Sequence, residues 1–191
     1  QLFAQVSTNP ALPNENSAVT ITFDATQGTA GLKDYSGDIY AHTGVITDKS
    51  TSTSDWKYVI APWNSNIPKA KLTRVSANIY TLEISSDIRS FYGVPAGEMI
   101  KQLAFVFRSA DQSKEGKATG GKDIFVTVYQ EGLNVSISSP SKINVFEKNE
   151  SFTFTASAST AADLKIYQNN QEIASQNATS ITKSIIIPDA G

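Results

Sequence analysis

Short runs rich in Val, Ile, Thr, Phe and Tyr recur along this chain between clusters of Gly, Pro, Asn, Asp and Ser, the pattern of an all-β sandwich or barrel. Nothing sustains a helical period. In "SAVTITFDA", Val19, Ile21 and Phe23 alternate with Thr20 and Thr22, which gives a strand with one apolar and one polar face. In "GDIYAHTGV", Ile39 and Ala41 oppose Tyr40 and His42, and in "NIYTLEIS" Tyr80, Leu82 and Ile84 share a face. "QLAFVFRS" and "DIFVTVYQ" are apolar on both faces, as expected of strands in the middle of packed sheets. Between them, "ADQSKEGKATGGKD" reads as an exposed polar tip. "DIRSFYGVPAGEM" brings Ile88, Phe91 and Tyr92 near helical spacing before "GVPAG" stops it, which predicts either one helical turn or an irregular crossing.

After Tyr129 the stretch "QEGLNVSISSPSK" marks a boundary at about Gly132, with "LNVSI" opening a new module. Strand patterns follow in "NVF", "SFTFTASAS", "DLKIYQNNQEIAS" and "SITKSIIIP", with "QNNQ" as a hairpin turn whose asparagines tolerate positive φ. The expected fold is therefore all-β, with two β-sandwich domains in tandem. The first covers residues 1–132, and the second, residues 133–191, is immunoglobulin-like. An immunoglobulin-like sandwich has about seven strands, so the second domain is expected to be incomplete at its C-terminal end.

Composition narrows the function classes. Lys and Arg nearly balance Asp and Glu, for a formal charge of -2, so no basic stripe exists to release counterions from a nucleic acid, and no nucleic-acid partner is expected. No apolar stretch approaches the roughly 20 residues that span a bilayer, so no membrane insertion is expected either. The chain has no cysteine, which removes disulfides, thiolate chemistry and Cys-ligated zinc. Its single histidine, His42, would have to serve any Ser-His-Asp arrangement, and neither a G-x-S-x-G elbow nor an H-E-x-x-H helix accompanies it. An all-oxygen calcium site on the loops bearing Asp34, Asp38, Asp48 and Asp55 is conceivable, but loop acids are ordinarily only solvated, and no metal or cofactor is expected. The chain is read as non-catalytic.

Both tryptophans fall in "DWKYVIAPW", directly after the polar run "TDKSTSTS". An exposed indole or phenol can cover the C–H patch of a pyranose while polar neighbours bond its hydroxyls. Tyr40, His42, Trp56, Tyr58 and Trp63, with Asp55, Lys57 and Asn64 nearby, supply that set of groups, and they are the candidate carbohydrate contacts. Trp56 is expected to be the more exposed ring, with Trp63 packed under the loop. The competing reading makes the same rings core residues or a docking face, because aromatics in sandwiches commonly pack inward.

The order "GDIYAHTGVIT", "DWKYV", "KLTRVSANIYTLEI", "IRSFYGVPAGEMIKQLAFVFRSADQSKEGK" and "KDIFVTVY" resembles the amino-terminal module of secreted Bacteroidetes α-amylase-family glycoside hydrolases, and also the starch-binding modules of families 25 and 26. The resemblance spans residues 38–129. It implies a sandwich that binds α-glucan, with His42 and Trp56 as contacts and Trp63 as a second platform. It further implies an immunoglobulin-like spacer, a catalytic domain elsewhere in the same protein and export from the cell; a monomer is expected, on no particular feature of the sequence. In those families the "FVF" strand leads into an aromatic loop; here Phe107 leads into "RSADQSKEGKATGGKD", which has no aromatic and so lacks one of the implied sugar contacts.

Overall fold

A computed structural model describes residues 5–140 and 147–187. The described residues form eleven strands, a 3-10 turn at Pro68–Ala70 and one short α-helix: β1 (Val6–Asn9), β2 (Val19–Asp24), β3 (Ile39–Thr47), β4 (Thr73–Ser76), β5 (Ile79–Ile84), α1 (Ile88–Tyr92), β6 (Ile100–Ser109), β7 (Glu115–Gly116), β8 (Ile124–Thr127), β9 (Val135–Ser139), β10 (Ser151–Gln168) and β11 (Gln171–Ile186). The all-β class expected from the sequence is the class observed. The chain divides into two compact units between Tyr129 and Gln130, close to the Gly132 boundary expected.

In the first unit one antiparallel sheet has the order β1-β2-β5-β4, and a second runs β3-β6-β7 with β8 also paired to β6. Alternation sets the register. Val19, Ile21 and Phe23 on β2 lie opposite Ile84, Leu82 and Tyr80 on β5, and all six are buried. From the other sheet, Ile39, Ala41 and Val45 of β3 join Leu103, Phe105 and Phe107 of β6 in the same core. The Phe23 and Phe107 rings stack across the sheets at 4.1 Å. Two faces of alternating strands thus bury their apolar halves against each other.

Of the two forms expected at this stretch, the helical turn is the one observed. Asp87 caps it by accepting from Ser90 N–H at 2.7 Å, Gly93 ends it at φ 72°, and Ile88, Phe91 and Tyr92 point into the core. The Tyr92 hydroxyl meets Thr43 Oγ1 at 2.6 Å, and burial pushes its phenol well above the usual range.

One expectation for this unit fails and another holds only in part. The stretch "DIFVTVYQ" is not central: β8 pairs with β6 alone, and Phe125 and Val126 are only half-buried. Its apolar character on both faces comes from loop cover rather than from flanking strands. The polar stretch after β6 is more than an exposed tip. It returns as β7, pairs with Phe107 and Arg108, and buries Gly116 so tightly that an added Cβ would lie 2.7 Å from Phe23 Cζ.

The second unit is one antiparallel sheet of order β11-β10-β9, built on two long strands where four shorter ones were expected. The hairpin turn at Asn169 and Asn170 has φ 50° and 64°, the positive pair that a two-residue turn requires. Ala156, Ala158, Leu164, Ile166, Ile181 and Ile185 form its core. The register shift between Ser157 and Ala162 separates the two halves of β10 that the sequence pattern resolves as distinct strands. The strand expected at "NVF" lies outside the described residues.

Candidate functional site

Strand parity turns His42 away from the sandwich core, onto the outer face of its sheet. There Tyr40 lies opposite Arg108, His42 opposite Val106, and Gly44 opposite Ala104, with Phe125 of β8 beyond Ala104. Residues 48–67 fold back over this face. Val45 and Lys57 exchange both backbone hydrogen bonds at 2.9 and 2.8 Å, and Ile60 N–H donates to Thr43 at 2.9 Å, so the loop runs along the edge of β3. Gly44 permits the approach: a Cβ there would sit 2.9 Å from the Lys57 carbonyl oxygen and 3.0 Å from Val59 Cγ2.

The polar run before Trp56 satisfies itself. Asp55 Oδ2 accepts from Thr51 N–H at 2.9 Å and from its hydroxyl at 3.1 Å, while Asp55 Oδ1 takes Lys57 Nζ at 2.8 Å. These bonds, Lys57's first, hold the Asp55 carboxyl at about 2. The Trp56 indole N–H donates to Thr53 O at 3.0 Å. A hydrophilic loop can therefore end in a tryptophan because its polar groups close on one another and aim the ring at the sheet.

The rings then meet. Trp56 stacks on His42 at 5.6 Å and 26°, and Trp63 meets His42 edge-on at 5.1 Å and 73°. Phe125 lies edge-on to Trp56 at 6.5 Å. His42, Trp56 and Trp63 are each half-buried, so Trp56 is not the freely exposed ring that was expected, nor is Trp63 hidden beneath the loop. Burial first, then the charge of Arg108, lower the His42 pKa below 6.5, opposed by a hydrogen bond with the Ala61 backbone and by Asp123. The imidazole at the centre of the cluster is neutral at pH 7.

Two further candidates sit apart from this exposed surface. Tyr40 is only 8% exposed, with the Arg108 guanidinium 5.5 Å from its ring. Tyr58, at φ 49°, packs against the sandwich core and donates its hydroxyl to Glu98 Oε2 at 2.7 Å. Glu98 is 2% exposed and also accepts from Thr47 Oγ1 at 2.6 Å and Lys49 Nζ at 3.0 Å. The hydrogen bonds from Thr47 and Tyr58 hold its carboxyl at about 2, and the same contact raises the Tyr58 phenol. Glu98 thus ties together both sides of the loop that carries Trp56.

Sequence reasoning missed Arg108, Glu98 and Phe125. Arg108 left one signal, a lone charge at the end of an apolar strand; Glu98, in a turn after "GVPAG", left none. The four loop acids considered for calcium are separately engaged. Asp34 accepts from Asn78, Asp38 pairs with Lys71, Asp48 accepts from Met99 N–H, and Asp55 is held as above. Among the described residues no group of three or more His, Asp or Glu is arranged to hold a metal ion.

Fold and site together define an all-β protein whose first unit is a two-sheet sandwich with an angled aromatic cluster on one outer face. No protein-family model and no curated protein matches the chain.

Proposed function

We propose that the first unit is a non-catalytic carbohydrate-binding module that takes α-glucan on the face formed by Trp56, His42 and Trp63, as part of an exported glycoside hydrolase whose catalytic domain lies elsewhere in the same protein. The observation that carries the reading is the meeting of both tryptophans and the only histidine in one half-exposed cluster. The cluster is angled, with one indole stacked on the imidazole and the other edge-on. Such a surface suits a chain whose successive sugar rings turn relative to one another better than it suits a flat ribbon. The neutral His42 can exchange hydrogen bonds with hydroxyls, and Asn64 stands exposed beside Trp63. Retaining polymer near a catalytic domain raises its effective concentration without a strong individual contact.

One observation favours a second reading, in which the module is a spacer or docking domain. The Trp56 N–H is already spent on Thr53, and its ring is packed between His42 and Phe125, as a structural ring would be.

Calorimetric titration with maltoheptaose separates the two. The binding reading expects saturable heat with a Kd between about millimolar and micromolar, abolished in a folded Trp56→Ala variant. Absence of heat from the folded wild type would leave the docking reading.

A further inference from the structure

Arg108 projects from β6 into the layer between the sheet and the loop, and it is 2% exposed. Among the described residues no carboxylate pairs with it. Nη1 donates to Asn66 Oδ1 at 2.8 Å and to Ser109 O at 3.1 Å, and Nη2 donates to Ser65 O at 2.8 Å. Nε is buried with no hydrogen-bond partner. A buried cation with only neutral partners is an expensive group to keep, so its contacts indicate what it is kept for. Two of its three hydrogen bonds and one of its two ring contacts lead to the turn that carries Trp63; the other ring contact is Tyr40, 5.5 Å away. The guanidinium carbon lies 5.7 Å from the Trp63 ring, and the hydrogen bonds grip the backbone of Ser65 and the side chain of Asn66, just past Trp63 in the chain. Asn66 in turn donates to Ala110 O, which ties the same turn to the end of β6.

Trp63 needs such support. Trp56 is anchored by its own N–H, whereas no hydrogen bond to the Trp63 indole N–H is found among the described residues. Apart from the bonds made by Arg108 and Asn66 and that between His42 and the Ala61 backbone, its segment is closed by one turn, from Ser65 N–H to Pro62 O at 3.0 Å, and its ring is flanked by His42 and Arg108.

We propose that Arg108 is a positioning residue that fixes the plane of Trp63, and through it the angle between the two indoles offered to a ligand, without touching the ligand itself. The ligand part of this inference rests on the carbohydrate-binding reading; the positioning part does not. A lysine cannot replace the arginine, because an ammonium lacks the planar fork that donates to two acceptors while lying against a ring.

The test uses the full chain with Arg108→Lys and, separately, Asn66→Ala, an exposed position where loss of the contact leaves the core intact. In a Trp56→Phe background Trp63 is the only indole, and its fluorescence anisotropy and iodide quenching report its freedom. Both variants are expected to lower the anisotropy and raise the quenching of Trp63 in the folded state. In the Trp56-containing protein both are expected to weaken maltoheptaose binding about tenfold, equivalent to about 1.4 kcal/mol. A purely structural role for Arg108 would shift the unfolding midpoint and leave the folded-state fluorescence unchanged, and that result would overturn the proposal. Unchanged fluorescence in Asn66→Ala overturns it even where Arg108→Lys does not fold. A wild type that binds no sugar defeats the binding reading, while the Trp63 fluorescence still decides the positioning.

Discussion

A guanidinium beneath aromatic rings and an imidazole on the next outward position of the neighbouring strand are electrostatically coupled, because burial lowers the local dielectric that would screen the charge. Arg108 and His42 stand in that relation. Removing the charge with Arg108→Gln is expected to raise the His42 pKa, since one of the two causes of its depression is lost while burial, the larger one, remains. The chain has one histidine, so a proton NMR titration follows one imidazole without assignment. The folded ring is harder to protonate than a free one, so His42 weakens the fold as pH falls through the free-imidazole range near 6.5, and that loss should shrink in the variant. Gly116 makes the steric counterpart. Its missing side chain leaves room for Phe23 and Leu32, whose atoms would stand 2.7 and 3.1 Å from an added Cβ. Gly116→Val is expected to destabilise the first unit by about 1–3 kcal/mol, read from urea denaturation.

The loop over residues 48–67 behaves as one element, joined to β3 by backbone pairing and to the segment after α1 by Glu98. The Glu98 carboxyl is held at about 2, well below its ordinary value of 4.5. A depressed carboxyl contributes stability that is complete above the ordinary value and is lost as pH falls through the lowered one. The stability gap between wild type and Glu98→Gln should therefore be full at about pH 6 and shrink steadily toward about pH 2, measured by denaturant midpoint across pH. Gly44 tests the other attachment. Gly44→Val drives a side chain into the Lys57 carbonyl and Val59, so the loop should lift from β3. Trp56 iodide quenching in a Trp63→Phe background is expected to rise, with the sandwich core still folded by far-UV circular dichroism.

At the scale of the whole molecule, each unit has its own core, one of residues from two sheets and one of residues from a three-stranded sheet. A fragment ending at Gly132 is expected to fold cooperatively and keep the ring cluster, checked by a single unfolding transition and by the His42 resonance at its full-chain position. If maltoheptaose binds the full chain, it should bind this fragment with the same affinity.

How much of this was legible differs from element to element. β2 and β5 could be read because each has one wet face, which makes period-two alternation visible. β8 was misread as central because a strand covered by a loop and a strand covered by neighbouring strands have the same apolar pattern. The long β10 was read as two strands because its irregularity around Ser157 and Ala162 breaks the pattern as a turn would.

Sequence alone determined the all-β class, the outward parity of Tyr40 and His42 and the asparagine hairpin turn, since each depends on residues within a few positions of one another. Tertiary structure alone decided that Trp56 and Trp63 meet at His42, that Tyr58 belongs to Glu98 and that Arg108 lies under Trp63. Those outcomes depend on how a loop folds over a sheet, on contacts between residues about 14 to 45 positions apart in the chain, and no local pattern encodes which of several rings such a loop will bring down.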